Sequence, residues 1–141
     1  MITCTLLYTS IAESEDLMLD DLEQVLNDNE VETPTAQRIM LAISEAFTNA
    51  LIHGNGRDAD KAIKISLRVD ENEVVADITD EGKGGLIRVL QRKPAEPLSE
   101  CGRGIDLMRH FATFAEFGET ETGGLNVRLM FARNREIEVG R

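Results

Sequence analysis

Residues 2–8 (ITCTLLY) combine β-branched positions with a short apolar run and predict a strand. After Ser14 the spacing changes. Leu17, Leu22, Val25 and Leu26 recur at helical intervals, and the turn-prone residues 27–29 close the helix they predict. Thr33-Pro34 marks a second helix start, with Thr as N-cap and Pro at the first helical position. Ile39, Ile43, Phe47, Ala50 and Leu51 then share one face, so this helix should run to about Ile52, where His53-Gly54-Asn55-Gly56 stops it.

Residues 61–70 alternate between apolar and polar, turn at Asp70-Glu71-Asn72, and return through 73–79, the pattern of a β-hairpin. A glycine-rich loop follows from Asp80 to Gly85. Residues 86–101, with Pro94 and Pro97, read as irregular. Gly102-Arg103-Gly104 opens a short helix whose Met108 and Phe111 read as core. Residues 113–118 and 124–133 predict two last strands, and the polar tail 134–141 is expected to fray. Strands that come in hairpin-like pairs imply a mixed or largely antiparallel sheet. With helices on one face, the expected fold class is α/β (α+β), a two-layer sandwich in one domain over residues 1–141.

Composition narrows the classes of function. The net charge of −11 excludes affinity gained by neutralising nucleic-acid phosphates, so no direct nucleic-acid partner is expected. A basic patch on a protein suits such a surface, although acidity that merely keeps the chain soluble is equally compatible. Aromatic residues make up 4% of the chain, which leaves the core to aliphatic side chains. Two cysteines, Cys4 and Cys101, are too few for a disulfide framework and suit no zinc site. The first residues lack the pattern of a signal peptide, and no apolar run approaches the length of a membrane span. A cytoplasmic protein with reduced thiols and no membrane partner is the expectation.

Three groups of residues carry candidate chemistry. Glu45 and Asn49 lie one turn apart on a single helix side, roughly opposite the Ile39/Ile43/Phe47 stripe. The Asn49 amide oxygen is a hard donor suited to magnesium, and Glu45 is placed to accept a proton; a solvated polar helix face would look the same. Asp80, Gly82 and Gly84 end a strand, where glycines let backbone approach a ligand and an Asp can accept from an exocyclic amine; a flexible turn is the competing reading. Gly102, Arg103 and Gly104 begin a helix, whose free N–H groups and dipole favour phosphate; a glycine entry needed only for close packing is the alternative. No Walker A loop and no eukaryotic-kinase motif is present.

In order and spacing, these groups resemble the GHKL ATPase superfamily, the Bergerat fold. Glu45 to Asn49 match its N box, Asp80, Gly82 and Gly84 its first glycine box, and Gly102 to Met108 (GRGIDLM) its second. Within the superfamily, SEAFTNALIHGN at 44–55 and GRGIDLMRHF at 102–111 are similar to the anti-sigma factor serine/threonine-protein kinase group, over about residues 3–133. The resemblance implies ATP and Mg2+ as cofactors. Asn49 would bind the Mg2+ and Glu45 would be the general base. Asp80 would take the adenine amino group, while Gly82 and Gly84 pass close to the nucleotide. Gly102, Arg103 and Gly104 would wrap the phosphates, with residues 86–101 as an ATP lid and Lys93 as a phosphate contact. The family often places a Gly-Thr pair at the start of the last strand, its Thr supporting the Asp. Here Gly124 is followed by Leu125, which leaves Thr122 as the candidate. His53 suits a structural place at the helix end, and Cys101 an ordinary small position in the lid.

By the same resemblance the chain would hold a sigma factor and phosphorylate a Ser or Thr of a STAS-domain anti-sigma factor antagonist, as a homodimer. The alternative is a non-catalytic nucleotide-binding module that switches protein partners; slow ATP hydrolysis coupled to lid motion is a third reading.

Overall fold

The computed structural model describes residues 1–91 and 103–133. Alternation decides which strand face is buried. Strands β2 (Ala62–Val69), β3 (Glu73–Thr79) and β5 (Leu125–Ala132) each turn one apolar set inward. Ile63, Ile65, Leu67, Val74, Ala76, Ile78, Val127, Leu129 and Phe131 are all buried. The opposite face carries Lys64, Ser66, Asp77, Asn126 and Arg128. There Arg128 donates twice to Asp77, at 2.9 and 3.1 Å. With β1 (Ile2–Thr9) and β4 (Phe114–Glu119) at the edges, the five strands run in the order β1-β2-β3-β5-β4. All four pairings are antiparallel, so the mixed sheet left open by the sequence is an antiparallel one. In the β2–β3 turn, Asp70 accepts from the amides of Asn72 and Glu73, which holds its carboxyl below the ordinary range.

The helices cover the apolar face. Helix α1 (Glu13–Asp28) buries Met18, Leu22 and Leu26; α2 (Thr33–Asn49) buries Ile39, Ile43 and Phe47 as its periodicity predicts. Tyr8 of β1 meets the Phe47 ring edge-on at 5.7 Å and donates to Asp21 of α1 at 2.6 Å. Arg133, past the end of β5, is nearly enclosed. It pairs with Glu32 at 3.1 Å and donates to the carbonyls of Asp70 and Glu30, tying the sheet to the α1–α2 turn.

Four boundaries differ from the sequence reading. Helix α1 begins at Glu13, so Ser14 lies inside its first turn, buried near Thr9. Glu32, rather than Thr33, occupies the N-cap of α2, because Thr33 and Pro34 both fit the first turn, where a missing N–H costs nothing. The α-helical geometry of α2 ends at Asn49, and Ala50–Gly54 continue as a π-helical turn. Residues 85–91 form helix α3 (Gly85–Gln91) where an irregular segment was expected. Val89 is buried and Leu86 packs on the core. Helix α4 (Arg103–Phe111) precedes β4, with Met108 buried and Phe111 partly so. No described helix is long and apolar enough to cross a membrane.

Candidate functional site

The last two turns of α2 present two different sides. Ala46, Phe47 and Ala50 sink into the core, while Ser44, Glu45, Thr48 and Asn49 stay half-buried. Helix α4 packs across this end of α2, and Gly104 comes close to Glu45. A Cβ at Gly104 would stand 3.5 Å from Glu45 Oε1 and touch little else. That is ordinary contact, so packing alone does not require a glycine at 104. Burial is the first cause that raises the Glu45 pKa; the charge of Glu15 on α1 is the second. Among the described residues the Asn49 amide has no hydrogen-bond partner in the chain.

The π turn leads from Asn49 straight to the Asp80 loop. Its last residue, Gly54, lies against the Asp80 carboxylate, where an added Cβ would overlap Asp80 Oδ2. Gly82 crosses Gly54 in turn, and a Cβ there would overlap the Gly54 carbonyl. Gly82 is therefore demanded by backbone-to-backbone approach, and Gly54 by the Asp80 side chain packed against it. Gly84 is needed differently, for a positive φ of 72° in open space. Asp80 is 3% exposed; its Oδ1 accepts from Gly82 N at 2.9 Å and Leu125 N at 3.1 Å. Among the described residues Oδ2 accepts nothing.

Asn55, read from the sequence only as part of a stop signal, holds this crossing together. Its Oδ1 accepts from Glu81 N at 2.8 Å, and its Nδ2 donates to Ser10 Oγ at 2.8 Å and Ala62 O at 3.0 Å. One donor on one side and two acceptors on the other fix the amide orientation. The signal was an Asn between two glycines at a helix end, which also fits any turn. His53 is exposed; its carbonyl accepts from Arg88 of α3 at 3.4 Å.

The structure thus brings Glu45 beside Gly104, and Asn49 and Asp80 to the two ends of one π turn, with Gly82 against that turn. Arg103 starts α4. Thr122 sits exposed in the β4–β5 turn, where its hydroxyl meets Thr120 at 3.3 Å. The backbone amide of Leu125, not Thr122, steadies Asp80. Lys93, Gly102, Cys101, the greater part of the expected lid and the tail 134–141 lie outside the described residues.

These residues fit a nucleotide with magnesium. A buried carboxylate oxygen with no donor suits an exocyclic amine, which supplies one. A half-buried amide oxygen with no partner suits an ion that takes most of its remaining ligands from water and phosphate.

Comparison with known proteins points the same way. A family model described as histidine kinase-like ATPase domain matches residues 9–131. An anti-sigma F factor from Clostridium botulinum (strain Eklund 17B / Type B) is 46% identical over 95 residues, 64% of this chain and 66% of its own length. An anti-sigma F factor from Heyndrickxia coagulans is 32% identical over 92 residues, 62% of this chain and 63% of its own length. The chain thus spans just under two thirds of the length of these curated relatives. A chain with RsbU and RsbW domains from Mycobacterium tuberculosis shares the fold, with a TM-score of 0.72 over 96% of this chain and 33% of that chain at 17% identity. The family model leaves unmatched only the two ends of the sequence, and the protein belongs to the histidine kinase-like ATPase domain family.

Proposed function

We propose that the chain is an ATP-binding anti-sigma factor that phosphorylates a Ser or Thr of a STAS-type antagonist and thereby regulates a sigma factor. The observation that carries this reading is the placement of Glu45, a carboxylate with raised proton affinity, beside the start of α4 and one helical turn from Asn49. A module that only bound nucleotide would have no use for a base there. Support also comes from the anti-sigma F factors the chain resembles.

Each residue has a defined task. Asp80 Oδ2 accepts from the adenine amine, while its Oδ1 stays tied to Gly82 and Leu125. The N-terminus of α4, with Arg103 and Gly104, faces the phosphates with N–H groups. Asn49 holds magnesium, which when bound neutralises phosphate charge. Glu45 takes the proton of the attacking hydroxyl as its oxygen bonds to the γ-phosphorus and the bond to ADP breaks. Rate comes mainly from positioning and charge neutralisation. Lys93, Gly102 and Thr122 are further contacts to be tested by substitution. A homodimer is the proposed assembly, to be checked by light scattering.

Two substitutions separate binding from chemistry. Asn49→Ala should weaken Mg-ATP binding by roughly 100-fold or more, since even outer-shell partners of a metal cost about 10–100-fold. Calorimetry measures it, and unchanged affinity would sink the magnesium assignment. Glu45→Gln should keep nucleotide affinity and slow phosphate transfer by ~10²–10⁴-fold, the range for a general base. Transfer at the wild-type rate would remove Glu45 from that role. The reading as a whole is tested by capturing partners from native lysate with γ-labelled Mg-ATP. A labelled small antagonist with a retained sigma factor supports it. Retained partners without label would favour the non-catalytic switch.

A further inference from the structure

The first turn of α1 carries Glu13, Glu15 and Asp16, all favoured there by the helix dipole. Glu13 and Asp16 are exposed, whereas Glu15 is half-buried against α2. Its Oε2 accepts from Ser44 Oγ at 3.3 Å and from Thr48 Oγ1 at 3.0 Å. These hydroxyls lie one turn apart. Each immediately precedes a polar residue of the site, Ser44 before Glu45 and Thr48 before Asn49. Neighbouring residues diverge by about 100° around a helix. Ser44 and Thr48 therefore face α1, while Glu45 turns toward α4. Rotation of α2 about its axis would break both hydrogen bonds and swing Glu45 and Asn49 out of place.

Anchoring does not itself require a charge, because a Gln oxygen accepts the same two hydrogen bonds. A carboxylate at 15 adds something more, a like charge beside Glu45. The titratable and charged groups in the first turn of α1, on α4 and on the π turn are Glu13, Glu15 and Asp16, then Arg103, Asp106, Arg109 and His110, and His53. Of these, Glu15 is the one whose charge acts on Glu45, in the direction that favours the protonated form.

We propose that Glu15 is a positioning residue for Glu45: its carboxylate fixes the turn of α2 through Ser44 and Thr48 and sets a like charge beside the base. This rests on the reading of Glu45 as the general base.

The experiment is a ¹³C NMR pH titration of the Glu45 carboxyl in the full chain, for wild type, Glu15→Gln and Glu15→Ala. Phosphate transfer to the captured antagonist is followed against pH with the same proteins. In Glu15→Gln the Glu45 carboxyl should titrate at lower pH than in wild type. A base that ionises at lower pH stays charged there, so transfer on the acid limb should be faster than wild type. Glu15→Ala should move the titration the same way and also slow transfer at every pH, because the hydroxyl anchors are gone. A Glu45 titration that superimposes on wild type in Glu15→Gln overturns the proposal. A shifted titration in a chain that transfers no phosphate supports the coupling of Glu15 to Glu45 while removing the kinase reading, so the two failures are distinguishable.

Discussion

Gly82→Ala should abolish Mg-ATP binding and lower stability by about 3 kcal/mol, the upper end of the cost of overpacking. For a chain of this size that is roughly 10 °C in Tm. The added methyl has nowhere to go. It would overlap the carbonyl, carbon and Cα of Gly54, all backbone atoms of the π turn, which no rotamer change can clear. Relief must come from separating the Asp80 loop from the end of the π turn. That movement also breaks the Gly82 N to Asp80 Oδ1 hydrogen bond and shifts the carboxylate assigned to adenine. Gly84→Ala provides the contrast. Its Cβ meets nothing within 4 Å, and the cost is the strain of a φ of 72°, about 1 kcal/mol. Calorimetric unfolding and ATP titration of both variants check the pair. A Gly82→Ala protein with wild-type Tm and affinity would show that the crossing is not as tight as the backbone indicates.

The difference between these two glycines was invisible in the sequence, where both stand in one D-x-G-x-G pattern. Legibility followed the range of the interaction. The Glu45–Asn49 pair and the apolar stripe of α2 are set by helical spacing within a few residues, and both were readable. So were the strands that alternate, since β2, β3 and β5 each bury one apolar set. Helix α3 was missed because two prolines downstream dominated the reading of a segment whose Leu86 and Val89 pack on the core. The support of Asp80 was sought in the side chain of Thr122 and is found in the backbone amide of Leu125, which no residue type can announce. Gly54 and Gly82 are 28 positions apart in number yet meet at van der Waals distance. Glu15 likewise reaches Thr48 across 33 positions. Such contacts are made by the docking of one element on another, and local pattern carries no trace of them.

Asn55 is the sharpest case of that kind, and Asn55→Asp should be more damaging than its near-identical shape suggests. In the native chain Nδ2 points at two acceptors, Ser10 Oγ and Ala62 O. Ser10 cannot reverse to become a donor without giving up its own 2.7 Å hydrogen bond to Lys61 O. An ionised Asp would set a negative oxygen against both acceptors in a site where Asn55 is 3% exposed and Ser10 fully buried. Burying a mispaired charge costs several kcal/mol, more than the ~1–3 kcal/mol of an unmade neutral hydrogen bond. Protonation would restore the donor that Asn supplied, so folding favours the protonated acid and raises its pKa above the unfolded value of about 3.9. The sign follows from linkage. Stability of the variant is greatest at acid pH and is lost as pH rises through the folded pKa, because the native state then binds more protons than the unfolded one. Asn55→Ala lacks a titrating group, so its deficit relative to wild type should stay constant with pH. Thermal unfolding of the three proteins between about pH 5 and pH 8, a range over which an ordinary carboxylate stays ionised, separates the outcomes. A deficit for Asn55→Asp that widens with pH, beside a flat one for Asn55→Ala, is the expected result. Parallel curves for the two variants would mean that Nδ2 does not face the two acceptors, and that the joint between the π turn, β2 and the Asp80 loop is held by something other than the Asn55 amide.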